Sequence, residues 1–102
     1  MIRHVVIWKM KDFADGHARE ENIRRAKEAL EALPGQIPGH IRHLEVGVNR
    51  LENAENCDLV LIADFDDMAN LEAYFKHPAH LMVAELVRKL REERMAVDFE
   101  VG

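Results

Sequence analysis

The sequence predicts an α+β sandwich: an antiparallel, four-stranded sheet with helices on one face. Three observations lead there. Four β-rich segments and two helical regions run in the order strand, helix, strand, strand, helix, strand, the split βαβ order of the ferredoxin-like fold. With 102 residues and no internal repeat, residues 1–102 form one domain, large enough to bury about 65% of the unfolded chain's surface in a single core. The first and third strands are apolar on both faces, which a sheet with one wet side is not, so this sheet calls for cover on both sides.

Residues Ile2 to Met10 are β-branched and aromatic, without Gly or Pro, and read as the first strand. Alternation sends His4, Val6, Trp8 and Met10 to one face and Arg3, Val5, Ile7 and Lys9 to the other. Lys11 to Gly16 is a polar turn leading into a helix. From about His17 to Leu33, the set Ile23, Ala26, Leu30 and Leu33 keeps helical spacing, and Pro34-Gly35 signals the end. Ile41 to Asn49 reads as the second strand, where Gly47 marks a bulge or a close backbone approach. Cys57 to Asp66 reads as the third, alternating Leu59, Leu61, Ala63 and Phe65 with Val60, Ile62 and Asp64. Asp66 or Asp67 caps a short helix whose stripe is Met68, Leu71 and Phe75. A longer helix uses Met82, Val83, Leu86, Val87 and Leu90 as core, and Arg94 to Val101 is the last strand.

The chemistry concentrates in Tyr74-Phe75-Lys76-His77-Pro78-Ala79-His80, which gathers a phenol and two imidazoles around one backbone break. Pro78 has no amide hydrogen to continue the first helix, and its fixed φ suits the first turn of a second one. In that second helix His80 shares a stripe with Val83, Val87 and Leu90 and points inward, while His77 stays at the corner. Inward-facing His80 and Tyr74 fit two roles: core polar groups bonded to backbone carbonyls, or a site. If His4 joins them between sheet and helices, Val6, Trp8 and Leu61 line the same space with His77 and Val83. Val5, Ile7, Val60 and Ile62 are then left on the opposite face, an apolar band of the kind that marks a partner. The predicted partner is a second copy of the chain, its sheet packed against this one.

Composition limits the remaining classes. A formal charge of −5 and the lack of a Lys/Arg stripe argue against nucleic acid. Arg88, Lys89, Arg91 and Arg94 are interleaved with Glu92 and Glu93 at a helix end and read as a solvated face favoured by the helix dipole. With neither a run of about 18 apolar residues nor a charged-then-apolar leader, no membrane partner is expected and the predicted location is cytoplasmic. Cys57 is alone, which excludes an internal disulfide, and at a strand start it reads as a small apolar residue. His40 and His43 alternate to opposite strand faces, and His77 and His80 lack a companion Cys or carboxylate, so no metal site is expected.

The opening Ile2-Arg3-His4-Val5-Val6-Ile7-Trp8-Lys9-Met10-Lys11, the Leu44-Glu45-Val46-Gly47-Val48-Asn49 segment and the Tyr74-x-x-His77-Pro78-x-His80 motif together resemble the stress-responsive A/B barrel (Dabb) family of dimeric α+β barrels. The resemblance spans nearly the whole chain and implies the ferredoxin-like fold and the homodimer. One plant member is a cyclase that closes a linear polyketide by aldol condensation without metal or organic cofactor. Its catalytic Tyr and His correspond to Tyr74 and His80, and its first-strand His to His4. By that resemblance, His80 removes a proton next to a carbonyl, Tyr74 donates to the developing enolate oxygen, and His4 orients one of them. The lining differs: Trp8 stands on the first strand, and no Phe or Tyr lies between Gly16 and Leu33, which argues against a long alkyl substrate. The expected ligand is a small carbonyl or phenolic compound. Two alternatives predict different interiors or activities: a non-enzymatic, stress-associated dimer with Trp8 filling the would-be pocket, and a monooxygenase-like barrel that consumes oxygen.

Overall fold

The computed structural model describes all 102 residues. Strand β1 (Ile2–Met10) lies between β5 (Leu59–Phe65) and β6 (Arg91–Glu100), and β4 (His43–Val48) pairs with the far edge of β5. The sheet order is β4-β5-β1-β6 and every pairing is antiparallel, as a split βαβ order requires. In register, His4 faces Ala63 on one side and Asp98 on the other, and Trp8 faces Leu59 and Arg94. Helices α1 (Arg19–Glu31), α2 (Leu33–Gln36), α3 (Met68–Lys76) and α4 (Pro78–Leu90) complete the chain's main elements. The inward residues of β1 and β5 form the core with Ala26, Leu30, Leu33, Leu71, Val87 and Leu90 from the helices. No helix is long and apolar enough to cross a membrane.

Several element readings need correction. The turn after β1 is a small hairpin, β2 (Phe13–Ala14) and β3 (His17–Ala18), so α1 begins two residues later than its apolar spacing implied. Its two central residues, Asp15 and Gly16, both take positive φ, 52° and 80°, the twist that a two-residue Asp-Gly loop supplies. Asn22 is fully buried on α1 with Ala26 and Leu30, while Ile23 is half-buried against the same core. The Asn22 amide donates to the Ala14 and His17 carbonyls at 2.9 and 3.1 Å, tying the hairpin to the helix.

The long helix ends at Glu31, just ahead of Pro34-Gly35 as expected, but that pair lies in a separate short helix, α2, because proline's missing donor is no loss in a first turn. Gly47 sits in unbroken register with Val60, so it marks a close approach and no bulge. A Cβ there would lie 3.0 Å from a Val60 methyl. Met68 and Met82 are exposed, not core: only the narrow stripe through Val83, Val87 and Leu90 reaches the sheet, and Met82 sits on its flank. Arg91 to Glu93 belong to β6, since Arg91 is already extended (φ −89°, ψ 148°) directly after Leu90.

The uncovered sheet face carries half-buried Val5, Ile7, Val60 and Ile62. The edge strand β6 adds Met95, Val97 and Phe99, exposed by 59, 55 and 43%, opposite Ile7, Val5 and Arg3. At one end of this band Arg3 makes a two-pronged ion pair with Asp64, at 2.8 and 3.2 Å. That pairing holds the Asp64 carboxyl below the usual carboxylate range.

Candidate functional site

Two helices meet at His77, and their junction aims the candidate residues. Asp67 caps α3 by accepting the Asn70 amide at 2.9 Å, and the helix runs to Lys76. His77 is extended, and its Nδ1 accepts the Ala79 N–H at 3.0 Å, so it caps α4. His77 therefore does not line the interior space; its ring is committed to the backbone at the corner. Pro78 opens α4 in its first turn, and His80 two residues on lines the cavity beside Tyr74.

A cavity of about 90 Å³ lies between the inner sheet face and α4. His4, Val6, Trp8 and Leu61 form its floor, and Tyr74, His80, Val83 and Val87 its helical wall. The Tyr74 and His80 rings are close, with centroids 4.5 Å apart, and His4 meets Tyr74 edge-on at 6.1 Å. Phe75 stands edge-on to both imidazoles, 5.2 Å from His4 and 5.6 Å from His80. Trp8 is one wall of the cavity and does not fill it.

The electrostatics favour neutral rings. Tyr74 is 1% exposed, and burial pushes its phenol well above its ordinary value, so it remains a proton donor. Burial likewise lowers His80; the Phe75 carbonyl offsets part of this, while the Arg94 charge, and that of His4 whenever it is protonated, adds to it. His80 Nδ1 is buried without a hydrogen-bond partner of good geometry. His4 is lowered chiefly by burial, against which the Asp98 carboxylate acts from 2.5 Å. A neutral His4 donating Nδ1–H to Asp98 has its tautomer fixed, leaving Nε2 as acceptor.

Asp98 and the arginines of the cavity mouth are what the sequence reading did not assign to the site. Alternation groups Asp98 with Ala96 and Glu100 on one face of the last strand, and the available signal was that a carboxylate on the His4 side could meet that ring. Arg88, Arg91 and Arg94, read from sequence as a solvated face, line the mouth of the cavity. The other histidines stand apart: His40 is bonded to Asn70 and His43 to Glu45, and no three His, Cys, Asp or Glu side chains converge as metal ligands would.

Comparison with known proteins is consistent with this geometry. The family description Stress responsive A/B Barrel Domain (Dabb) matches residues 2–101. A dimeric protein of unknown function with a ferredoxin-like fold from Bacteroides fragilis NCTC 9343 is 31% identical, with 98% of this chain and 95% of that one covered and a TM-score of 0.83. The hydroxynitrile lyase of Passiflora edulis superposes with a TM-score of 0.81 at 15% identity, covering 99% of this chain and 93% of its own. SnoaB, a cofactor-independent oxygenase from Streptomyces nogalater, does so at 0.72 and 15%, covering 99% and 92%. The last two likenesses concern the fold alone. No curated protein matches the chain.

Proposed function

The chain belongs to the stress-responsive A/B barrel family, and from that premise we propose that it is a cytoplasmic homodimer whose subunits each bind a small carbonyl or phenolic compound and perform acid/base chemistry on it without a cofactor. The observation that carries this reading is the adjacency of Tyr74 and His80, a buried phenol and a buried imidazole 4.5 Å apart at the wall of a cavity. The Phe75 carbonyl reaches His80 but leaves its buried Nδ1 short of a well-formed hydrogen bond, so the ring is held less firmly than most buried polar groups are.

In the proposed step neutral His80 accepts a proton from the carbon next to a carbonyl. The C–H electron pair moves into the enolate, and the Tyr74 hydroxyl hydrogen-bonds the oxygen as its charge grows. The proton then returns to carbon, or the carbon adds to a second carbonyl whose oxygen, left as an alkoxide, takes the proton from His80. His4, held by Asp98, keeps the Tyr74 side of the cavity in place.

The test is deuterium incorporation next to the carbonyl of 2-butanone in D2O, followed by proton NMR. Loss of incorporation in His80→Ala and Tyr74→Phe at unchanged melting temperature is expected; incorporation no faster than with free imidazole overturns the reading. One observation favours a second reading, a non-enzymatic structural dimer: the cavity of about 90 Å³ is smaller than the roughly 300–1,000 Å³ of most ligand sites. That reading requires His80→Ala to raise stability with no ligand ever bound. A third, a monooxygenase-like activity, has fold similarity to SnoaB as its support.

A further inference from the structure

Five of the nine arginines, at positions 3, 19, 24, 25 and 42, pair with carboxylates. Of the four that do not, Arg88, Arg91 and Arg94 stand together at the mouth of the cavity, in a chain with net charge −5. Helix-dipole stabilisation accounts for Arg88, in the last turn of α4, but not for Arg91 and Arg94, which lie in β6.

The sheet is also built to bring Arg91 there. Counting back from Arg94, which faces inward across from Trp8, strict alternation would turn Glu92 inward. The register instead slips between Lys9 and Met10, so that Glu93 faces Lys9 and Arg91 faces Met10. A slip of this kind re-aims a side chain. It exchanges a carboxylate for a guanidinium on the cavity side, and Arg91 rather than Glu92 lines the mouth. Arg94 also reaches the chemistry, since its charge acts on His4, Tyr74 and His80 alike.

We propose that Arg88, Arg91 and Arg94 form a carboxylate-anchoring subsite, so that the ligand is a compact organic acid whose carboxylate stays at the mouth while its carbonyl or phenol end enters between Tyr74 and His80. This deepens the proposed function and rests on it for the inner half of the ligand. Guanidinium groups suit the task because their planar donors meet a carboxylate in pairs. The cavity limits the buried part, since about 90 Å³ corresponds to roughly three water molecules at about 30 Å³ each. A short keto acid fits these two demands and a long acyl chain does not.

The experiment compares levulinate with its neutral isostere 5-methyl-2-hexanone and with methyl phosphate, titrated by NMR against the full-length protein at fixed ionic strength. Levulinate is expected to bind about tenfold or more tightly than the isostere, the margin of a charge-assisted hydrogen bond. Arg91→Gln and Arg94→Gln should each remove several-fold of that preference without changing affinity for the isostere. Arg24→Gln, on the far face of α1, should leave all three affinities as they are. Equal affinity for levulinate and the isostere, or a preference that survives the arginine substitutions, overturns the proposal. Tighter binding of methyl phosphate through the same arginines overturns the carboxylate assignment. Arginine-dependent levulinate binding without any deuterium incorporation sinks the acid/base reading but not this one. Tyr74- and His80-dependent incorporation that ignores the carboxylate does the reverse.

Discussion

Asp98 on β6 stands directly across from His4 on β1, and its carboxylate lies 2.5 Å from the ring's Nδ1. The pair joins an edge strand to the central one beneath the cavity, so its chemistry bears on both stability and the site. His4 is almost wholly buried while Asp98 is partly open to solvent. Asp98→Ala would therefore strand a buried donor at a cost of about 1–3 kcal/mol, measurable by urea unfolding. Asp98→Asn should cost less yet release the tautomer. Deuterium incorporation into a ketone is then expected to fall, because the Asp98 carboxylate fixes which His4 nitrogen carries the proton. An Asp98→Asn variant as active as the parent would show that His4 has no positioning role.

The pH dependence follows from the direction of the histidine shifts. His4 and His80 are both lowered from 6.5 in the folded state, so the unfolded chain binds more protons just below that pH. Their contribution to stability is whole above 6.5 and is lost as pH falls through 6.5 toward the folded values. Melting temperature should begin to drop on that side. The acid limb of His80-dependent incorporation should lie below 6.5, because a base must be unprotonated. Tyr74, raised above its ordinary 10.0, adds no alkaline limb at neutral pH. A rate that rises on acidification through pH 6 would reverse the assigned roles.

The sheet was legible because its signal is local and repetitive: period-two alternation in β1 and β5 states which side chains go inward. The break at His77-Pro78 was legible because proline cannot donate. Arg91 was not legible, because a strand's face can be counted only from a known register, and the slip opposite Lys9 and Met10 is a property of two strands together. The Asp15-Gly16 hairpin was readable but outweighed by the polarity of its neighbours, which resembles an ordinary turn. Met82 was misplaced because helical spacing identifies apolar candidates without saying how wide a stripe the sheet will cover.

The cap of α3 gives a stability prediction independent of any activity. Asp67 accepts hydrogen bonds from the backbone and side-chain nitrogens of Asn70, at 2.9 and 2.8 Å, and these bonds hold its carboxyl below the ordinary 3.8. Asp67→Ala should lower stability measurably by denaturant unfolding, as loss of a helix cap does. The difference between variant and parent should shrink as pH falls below about 4, where the parent's carboxylate takes up a proton. The sign follows because a lowered acid stabilises above its unfolded value and loses that contribution on protonation. An unchanged difference at pH 3 would mean that the cap acts through shape and not charge.

Covering the open sheet face is the requirement that reaches furthest. Ile7 lies at its middle, flanked in register by Val60 on β5 and Met95 on β6, with Val5, Ile62 and Val97 in the neighbouring row. Met95 and Val97 are more than half exposed in the single chain, while the polar residues Arg94 and Asp98 of the same strand turn toward the cavity. This inversion of the usual edge-strand pattern is stable only if a second apolar surface meets it. Sedimentation at micromolar concentration should therefore give a dimer. Ile7→Lys would bury a charge at the centre of the interface without a partner and should weaken association at least a hundredfold. Met82→Lys, on the exposed flank of α4, should leave the dimer intact. A parent protein that sediments as a single subunit at that concentration, with Ile7→Lys equally folded, would remove the dimer from the proposal and leave the apolar face of β6 without an explanation.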